Sequence, residues 1–186
     1  MLPNIKLRGK LYRSSGQCSS VVTIISIDQS YQQGIEFEAF CLLMNEEYEK
    51  KNLVKLTIVE TGYLKRHYLR LDKRYFSDEE ADLAAIQLGK DWLQKQSSSL
   101  DLLKMPIEVI SWKDLLEKQS TASDKLFSKY FSTVEHMYIT DEVFAHEVDS
   151  LSKKYGEKLS YQYNPNREKN LDKACLDAAK NYLLEE

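Results

Sequence analysis

Residues 20–37 read SVVTIISIDQSYQQGIEF, and the rest of the chain is organised around them. Val21 to Ile27 is a β-branched run without alternation, the pattern of a strand covered by helices on both faces in a parallel sheet. Ser26 sits where the strand runs out, and a polar loop from Asp28 to Gln33 leads to Gly34. Beyond it Phe37, Phe40, Cys41, Met44 and Tyr48 fall on one helical stripe. A strand, a short loop and a helix place the Ser26 hydroxyl at the carboxyl end of a parallel strand. Open α/β sheets keep their ligand crevices there.

Outward from this stretch the chain continues as alternating strands and helices. Ile5 to Tyr12 alternates and reads as an edge strand or an N-terminal arm. Leu53 to Val59 is a second strand, ending at Glu60, Thr61 and Gly62, and Leu64 to Leu71 reads as a short basic helix. Ser77 followed by Glu80 is a capping box, which predicts a helix to about Gln96 with Ala81, Ala84, Leu88 and Trp92 inward. Ser97 to Ser99 loosens the chain, and Ile107 to Trp112 reads as a further strand after Pro106. Helices are expected over 113–119, 123–134 and 140–155, with a last one entered through Asn164-Pro165-Asn166. This order predicts one domain over residues 1–186: a three-layer α/β sandwich with a mostly parallel sheet and a helix-rich C-terminal half.

The chain has 186 residues, 42% hydrophobic and 30% charged, enough for one core. Cys18, Cys41 and Cys175 lie far apart without metal-ligand spacing, and the last two fall on apolar helix faces. They read as small core residues in a reducing compartment. No segment reaches the roughly 18 apolar residues of a membrane span, so a cytoplasmic protein, or one delivered in soluble form, is expected. The net charge of −3 hides a dipole: residues 50–74 carry eight basic side chains against Glu60 and Asp72. Such a stretch attracts phosphates or serves as a solvated helix face.

The last helix has a buried stripe of Leu171, Cys175, Ala178 and Tyr182, on which Glu186 is the next position. A phenol and a carboxylate one turn apart can bind a cation or move a proton. The same spacing recurs at Tyr75/Glu79 and Tyr138/Glu142, so spacing alone decides nothing. There is no Gly-x-x-x-x-Gly-Lys loop, no Gly-x-Gly-x-x-Gly fingerprint, no Gly-x-Ser-x-Gly elbow and no His-Glu-x-x-His. These gaps argue against the common nucleotide enzymes, the ordinary α/β-hydrolases and a zinc site, and no metal is expected. Of the three histidines, His67 reads as part of the basic surface.

Four pieces in order carry a family resemblance. They are Ser26-Ile27-Asp28-Gln29-Ser30-Tyr31 with Gly34, the strand ending at Val59 followed by Leu64-Lys65-Arg66-His67, the helix holding Ala85, Leu88-Gly89 and Trp92-Leu93, and Tyr182-Leu183-Leu184-Glu185-Glu186. Together they resemble the tRNA-dependent cyclodipeptide synthases, whose Rossmann-like core is similar to that of class I aminoacyl-tRNA synthetases. The resemblance implies an aminoacyl transferase that uses two aminoacyl-tRNAs. Ser26 would take the first aminoacyl group, the amine of the second would attack that ester, and a dipeptidyl-enzyme would cyclise to a diketopiperazine. An aminoacyl ester is already activated, so no cofactor is implied.

Under the same resemblance Glu186 would bind the substrate ammonium and Tyr182 would orient it or relay a proton, both folded over Ser26. Val22 and Ile24 would line an apolar first aminoacyl pocket, with Gln29, Tyr31 and Thr61 as further pocket residues. Lys65, Arg66, Arg70, Lys73 and Arg74 would face tRNA phosphates. Asp28 stands where relatives often carry glycine, Gln32 where close relatives show histidine, and Gln29 at a position that is asparagine in one branch. Family members continue past the last helix to a further catalytic tyrosine, whereas the sequence ends at Glu186, as in a truncated or shortened relative. Two other readings stay open: an inactive relative that binds tRNA or a protein, and an unrelated Rossmann-like ligand-binding domain.

Overall fold

The computed structural model describes residues 19–27, 33–117, 125–166 and 168–185. The strand or arm expected over 5–12 lies outside them. In order the elements are β1 (Ser19–Ile25), α1 (Gly34–Glu49), β2 (Leu53–Glu60), a 3-10 turn (Gly62–Lys65), α2 (Arg66–Leu69) and α3 (Asp78–Leu100). There follow β3 (Ile107–Ser111), α4 (Trp112–Glu117), α5 (Lys125–Thr140), α6 (Glu142–Tyr163) and α7 (Lys169–Glu185). The fold is α/β, with three described strands, all parallel, in the order β1-β2-β3. The chain divides into two compact units: Met1–Gly62 with Gln87–Trp112, and Tyr63–Ile86 with Lys113–Glu186.

The first unit is built on the sheet. Ile25, Leu56 and Ile58 join Phe37, Cys41 and Met44 of α1 and Trp92 of α3 in one core. The Phe37 and Trp92 rings meet edge to face at 5.1 Å. Val22 and Ile24, which alternate with these core positions, remain 66% and 48% exposed. Cover on both faces of β1, read from its β-branched run, is therefore not what these two side chains show. Strand backbone favours β-branched residues whether or not they are buried, so the run reports the strand and not its cover. Asn45 fixes the approach to β3, donating to the Leu102 carbonyl at 2.7 Å and accepting from the Lys104 N–H at 2.8 Å.

α3 does not loosen at the serine triplet but runs through it to Leu100. The Ser97 hydroxyl donates back to the Gln94 carbonyl at 2.9 Å, and Ser99 is buried, so these side chains are absorbed within the helix. Its buried positions include Ala81, Ala85, Trp92 and Gln96, while Leu88, expected inward, is 39% exposed. The N-terminal capping box forms: the Glu80 N–H donates to Ser77 Oγ, and the Glu80 carboxylate accepts from the Phe76 N–H at 2.7 Å.

In the second unit α5 and α6 run longer than their sequence limits. They part at Asp141, whose carboxylate accepts from the Val143 and Phe144 N–H groups at 3.0 Å each. α6 and α7 pack closely through small residues. A side chain at Gly156 would come within 3.0 Å of the Leu176 backbone, and Cys175 and Ala179 are fully buried. Buried Asn164 shapes the turn between these helices. Its amide donates to the Glu168 carbonyl and the Asp172 carboxylate, and its oxygen accepts from the Glu168 N–H. Among the described residues no helix is long and apolar enough to cross a membrane.

Candidate functional site

Ser26 follows β1 directly and is half-buried. The two peptide carbonyls on either side of it are both held. The Ile25 carbonyl accepts from the backbone N–H and from the hydroxyl of Thr61, each at 3.1 Å. The Ile27 carbonyl accepts from Gln33 Nε2 at 2.7 Å, across the loop that leads to α1. Thr61 is 1% exposed. Its hydroxyl is thus committed to the backbone beside Ser26.

What fixes Thr61 is the end of β2. Glu60 is buried and accepts from the Gly62 N–H at 2.8 Å. A Cβ at Gly62 would lie 2.7 Å from Gly89 Cα, and one at Gly89 would run into the Glu60 carboxylate. Both glycines let the turn after β2 press against α3. Val22 and Ile24 present their exposed side chains on the face opposite the core. Gln29 and Tyr31 lie outside the described residues.

Tyr182 belongs to the second unit, where it is 7% exposed on α7. Its ring stacks on Tyr68 of α2, with centroids 4.8 Å apart and planes 10° from parallel. Lys65 Nζ lies 5.0 Å from the Tyr68 ring and 5.9 Å from the Tyr182 ring. Glu186 is outside the described residues, but its neighbour Glu185 is well placed. Its Oε2 accepts from Arg66 Nη2 at 2.5 Å and lies 2.8 Å from His67 Nε2. All three side chains are 9–12% exposed. Burial alone would raise the Glu185 pKa, but the hydrogen bonds from His67 and Arg66 outweigh it and hold the group at about 2.

His67, expected on the basic surface, is instead partly enclosed with Arg66 against Glu185, because α2 packs its polar side against the last turn of α7. Arg66 also donates to the Tyr63 carbonyl at 3.1 Å and stacks 4.2 Å from the Tyr63 ring. Arg70 pairs with Asp82 and Asp78, and Arg74 with Asp72. Lys73 is exposed. Arg66 and Arg70 are thus matched by acids that lie outside residues 50–74, and Arg74 by Asp72 within them. Glu185 and Gln33 carry no sequence signal as site residues, and Thr61 only the pocket role that the family resemblance implies: the partners of Glu185 and Thr61 lie 118 and 36 positions away. Gln33 and Ile27 are six positions apart, too far for a turn pattern. Among the described residues no three His, Cys, Asp or Glu side chains gather as a metal-binding set.

No protein-family model matches the chain, and no curated protein does. Solved structures match over most of its length. A cyclodipeptide synthase from Fluoribacter dumoffii is similar at a TM-score of 0.74 and 19% identity, covering 90% of this chain and 68% of that one. The cyclodipeptide synthase from Candidatus Glomeribacter gigasporarum bound to Phe-tRNAPhe is similar at 0.67 and 26% identity, covering 91% and 71%. A third, from Streptomyces noursei, is similar at 0.55 and 18% identity, covering 91% and 74%. The chain resembles the cyclodipeptide synthases, and its fold is the Rossmann-like one they share.

Proposed function

We propose that this chain, folded as the cyclodipeptide synthases are, transfers aminoacyl groups from two aminoacyl-tRNAs to form a cyclodipeptide. The observation that carries this reading is the likeness over about nine-tenths of the chain to such synthases, one of them bound to Phe-tRNAPhe. In the first step the Ser26 hydroxyl attacks the ester carbonyl, and the tRNA 3′ oxygen leaves with the proton. In the second the amine of another aminoacyl-tRNA attacks the seryl ester, forming the peptide bond and freeing Ser26. The dipeptide then passes from its tRNA back to Ser26, and its terminal amine closes the ring and releases the hydroxyl. Each step exchanges an ester for an ester or an amide, so no external energy source is needed.

The residues suit these roles. Held carbonyls on both sides of Ser26 fix the backbone from which its hydroxyl projects, which lowers the entropy lost on reaching the transition state. Val22 and Ile24 offer exposed apolar side chains beside it, suited to an apolar first residue. Tyr182 and Glu186 receive the substrate ammonium, the phenol orienting it and the carboxylate pairing with it. The test is to mix the protein with charged tRNA and search by mass spectrometry for an aminoacyl adduct on Ser26. The adduct is expected with the native protein and absent from Ser26→Ala. A tRNA gel shift without any adduct would make the chain a binding relative instead.

A further inference from the structure

The Arg66–His67–Glu185 cluster sits one turn from Tyr182, and its residues were expected to serve as a phosphate-facing surface or had no role. We propose that Arg66 and His67, acting through Glu185, are positioning residues that lock the last turn of α7 and so set the attitude of the Tyr182 phenol. The proposal rests on the acyl-transfer reading above, in which Tyr182 orients the substrate amine.

Helix geometry supplies the reason. Residues 182 and 185 lie on one side of α7, three positions apart. The last turn of a helix lacks onward backbone hydrogen bonds and frays unless something outside the helix holds it. Here α2 holds it twice. The Tyr68 ring stacks on Tyr182, and two basic side chains converge on a single Glu185 oxygen. The stack alone restrains the tilt of the Tyr182 ring but leaves it free to slide along its partner. The ion-pair cluster, one turn further on, fixes the rotation and advance of α7 relative to α2. With both in place the phenol has a defined direction. Arg66 is also braced by the Tyr63 carbonyl and ring, so the clamp has a fixed base.

Glu185→Gln and Arg66→Lys provide the test, alone and combined. Amide hydrogen exchange at Leu183 and Leu184 reports on the turn without reference to activity. It is expected to quicken at least tenfold in Glu185→Gln, and unchanged exchange there overturns the clamp. Single-turnover adduct formation reports on positioning. At saturating charged tRNA its rate is expected to fall about tenfold in each single variant, with half-saturation within twofold of native. The double variant is expected to be no worse than the poorer single one, since both break the same link. Additive losses, or a raised half-saturation that steepens with salt in Arg66→Lys, would instead make Arg66 a phosphate contact and overturn the proposal. A native protein that forms no adduct refutes acyl transfer, and the exchange rates still decide whether Glu185 anchors the turn.

Discussion

At the scale of single residues, two polar side chains hold backbone or helix ends that no local pattern announces. The Thr61 hydroxyl gives the Ile25 carbonyl its second donor. Thr61→Val keeps the shape and removes that donor, so a stability loss of about 1 kcal/mol is expected in urea unfolding. Adduct formation should slow more than stability suggests, and Thr61→Ser should recover both. A native rate in Thr61→Val would remove the pin from the mechanism. Glu185 has a folded-state pKa of about 2 against an ordinary 4.5, held down by His67 and Arg66 despite burial. A depressed carboxylate stabilises the fold above its unfolded pKa and loses that contribution as pH falls through the folded one. The shift corresponds to about 3 kcal/mol, present at neutral pH and lost between about pH 5 and 2. Native and Glu185→Gln stabilities, far apart at pH 7, should therefore converge on acidification. Parallel curves would show that the pair contributes nothing. Cys41, pushed up to about 12 by burial and then by Glu38, should stay unmodified by a thiol reagent in the native protein, as peptide mapping would read.

At the scale of elements, the meeting of the β2 turn with α3 is the most constrained place in the first unit. Gly89→Ala would drive a methyl group into the buried Glu60 carboxylate, and overpacking of this kind costs about 1–3 kcal/mol. Thermal unfolding is expected to shift down accordingly, and no shift would mean the turn can yield. The strands and the start of α3 could be read from the chain because apolar runs and capping boxes are local patterns. Its end could not. A serine triplet reads as a break, yet here one hydroxyl bonds to its own helix and Ser99 is buried. The division of α5 from α6 rests on the Asp141 cap, a residue type too common in loops to be decisive alone. Periodicity places Leu88 inward, but it stands at the edge of the stripe that Ala81, Ala85, Trp92 and Gln96 bury and is 39% exposed.

At the scale of the whole molecule, charge illustrates what linear reading misses. Residues 50–74 carry a large positive excess, but Lys55 pairs with Glu108, Arg66 with Glu185, and Arg70 with Asp82. Only unpaired cations release counterions from phosphate, at a slope of about 0.7–0.9 per contact. Lys73→Ala should then flatten the salt dependence of tRNA binding by about one contact, while Arg66→Lys should leave the slope unchanged. The reverse result would return Arg66 to the nucleic-acid surface. The order of elements, the parallel strands, the buried cysteines and the resemblance to cyclodipeptide synthases were determined by the sequence itself. Hydrophobic period and residue type act over a few neighbouring positions and are written in the chain. The partners of Thr61 and Glu185, the contact of His67 with Glu185 and the exposed side chains of Val22 and Ile24 were decided only by tertiary structure. Each depends on groups brought together from distant positions, and the energy of such a meeting belongs to the folded geometry and to no single segment.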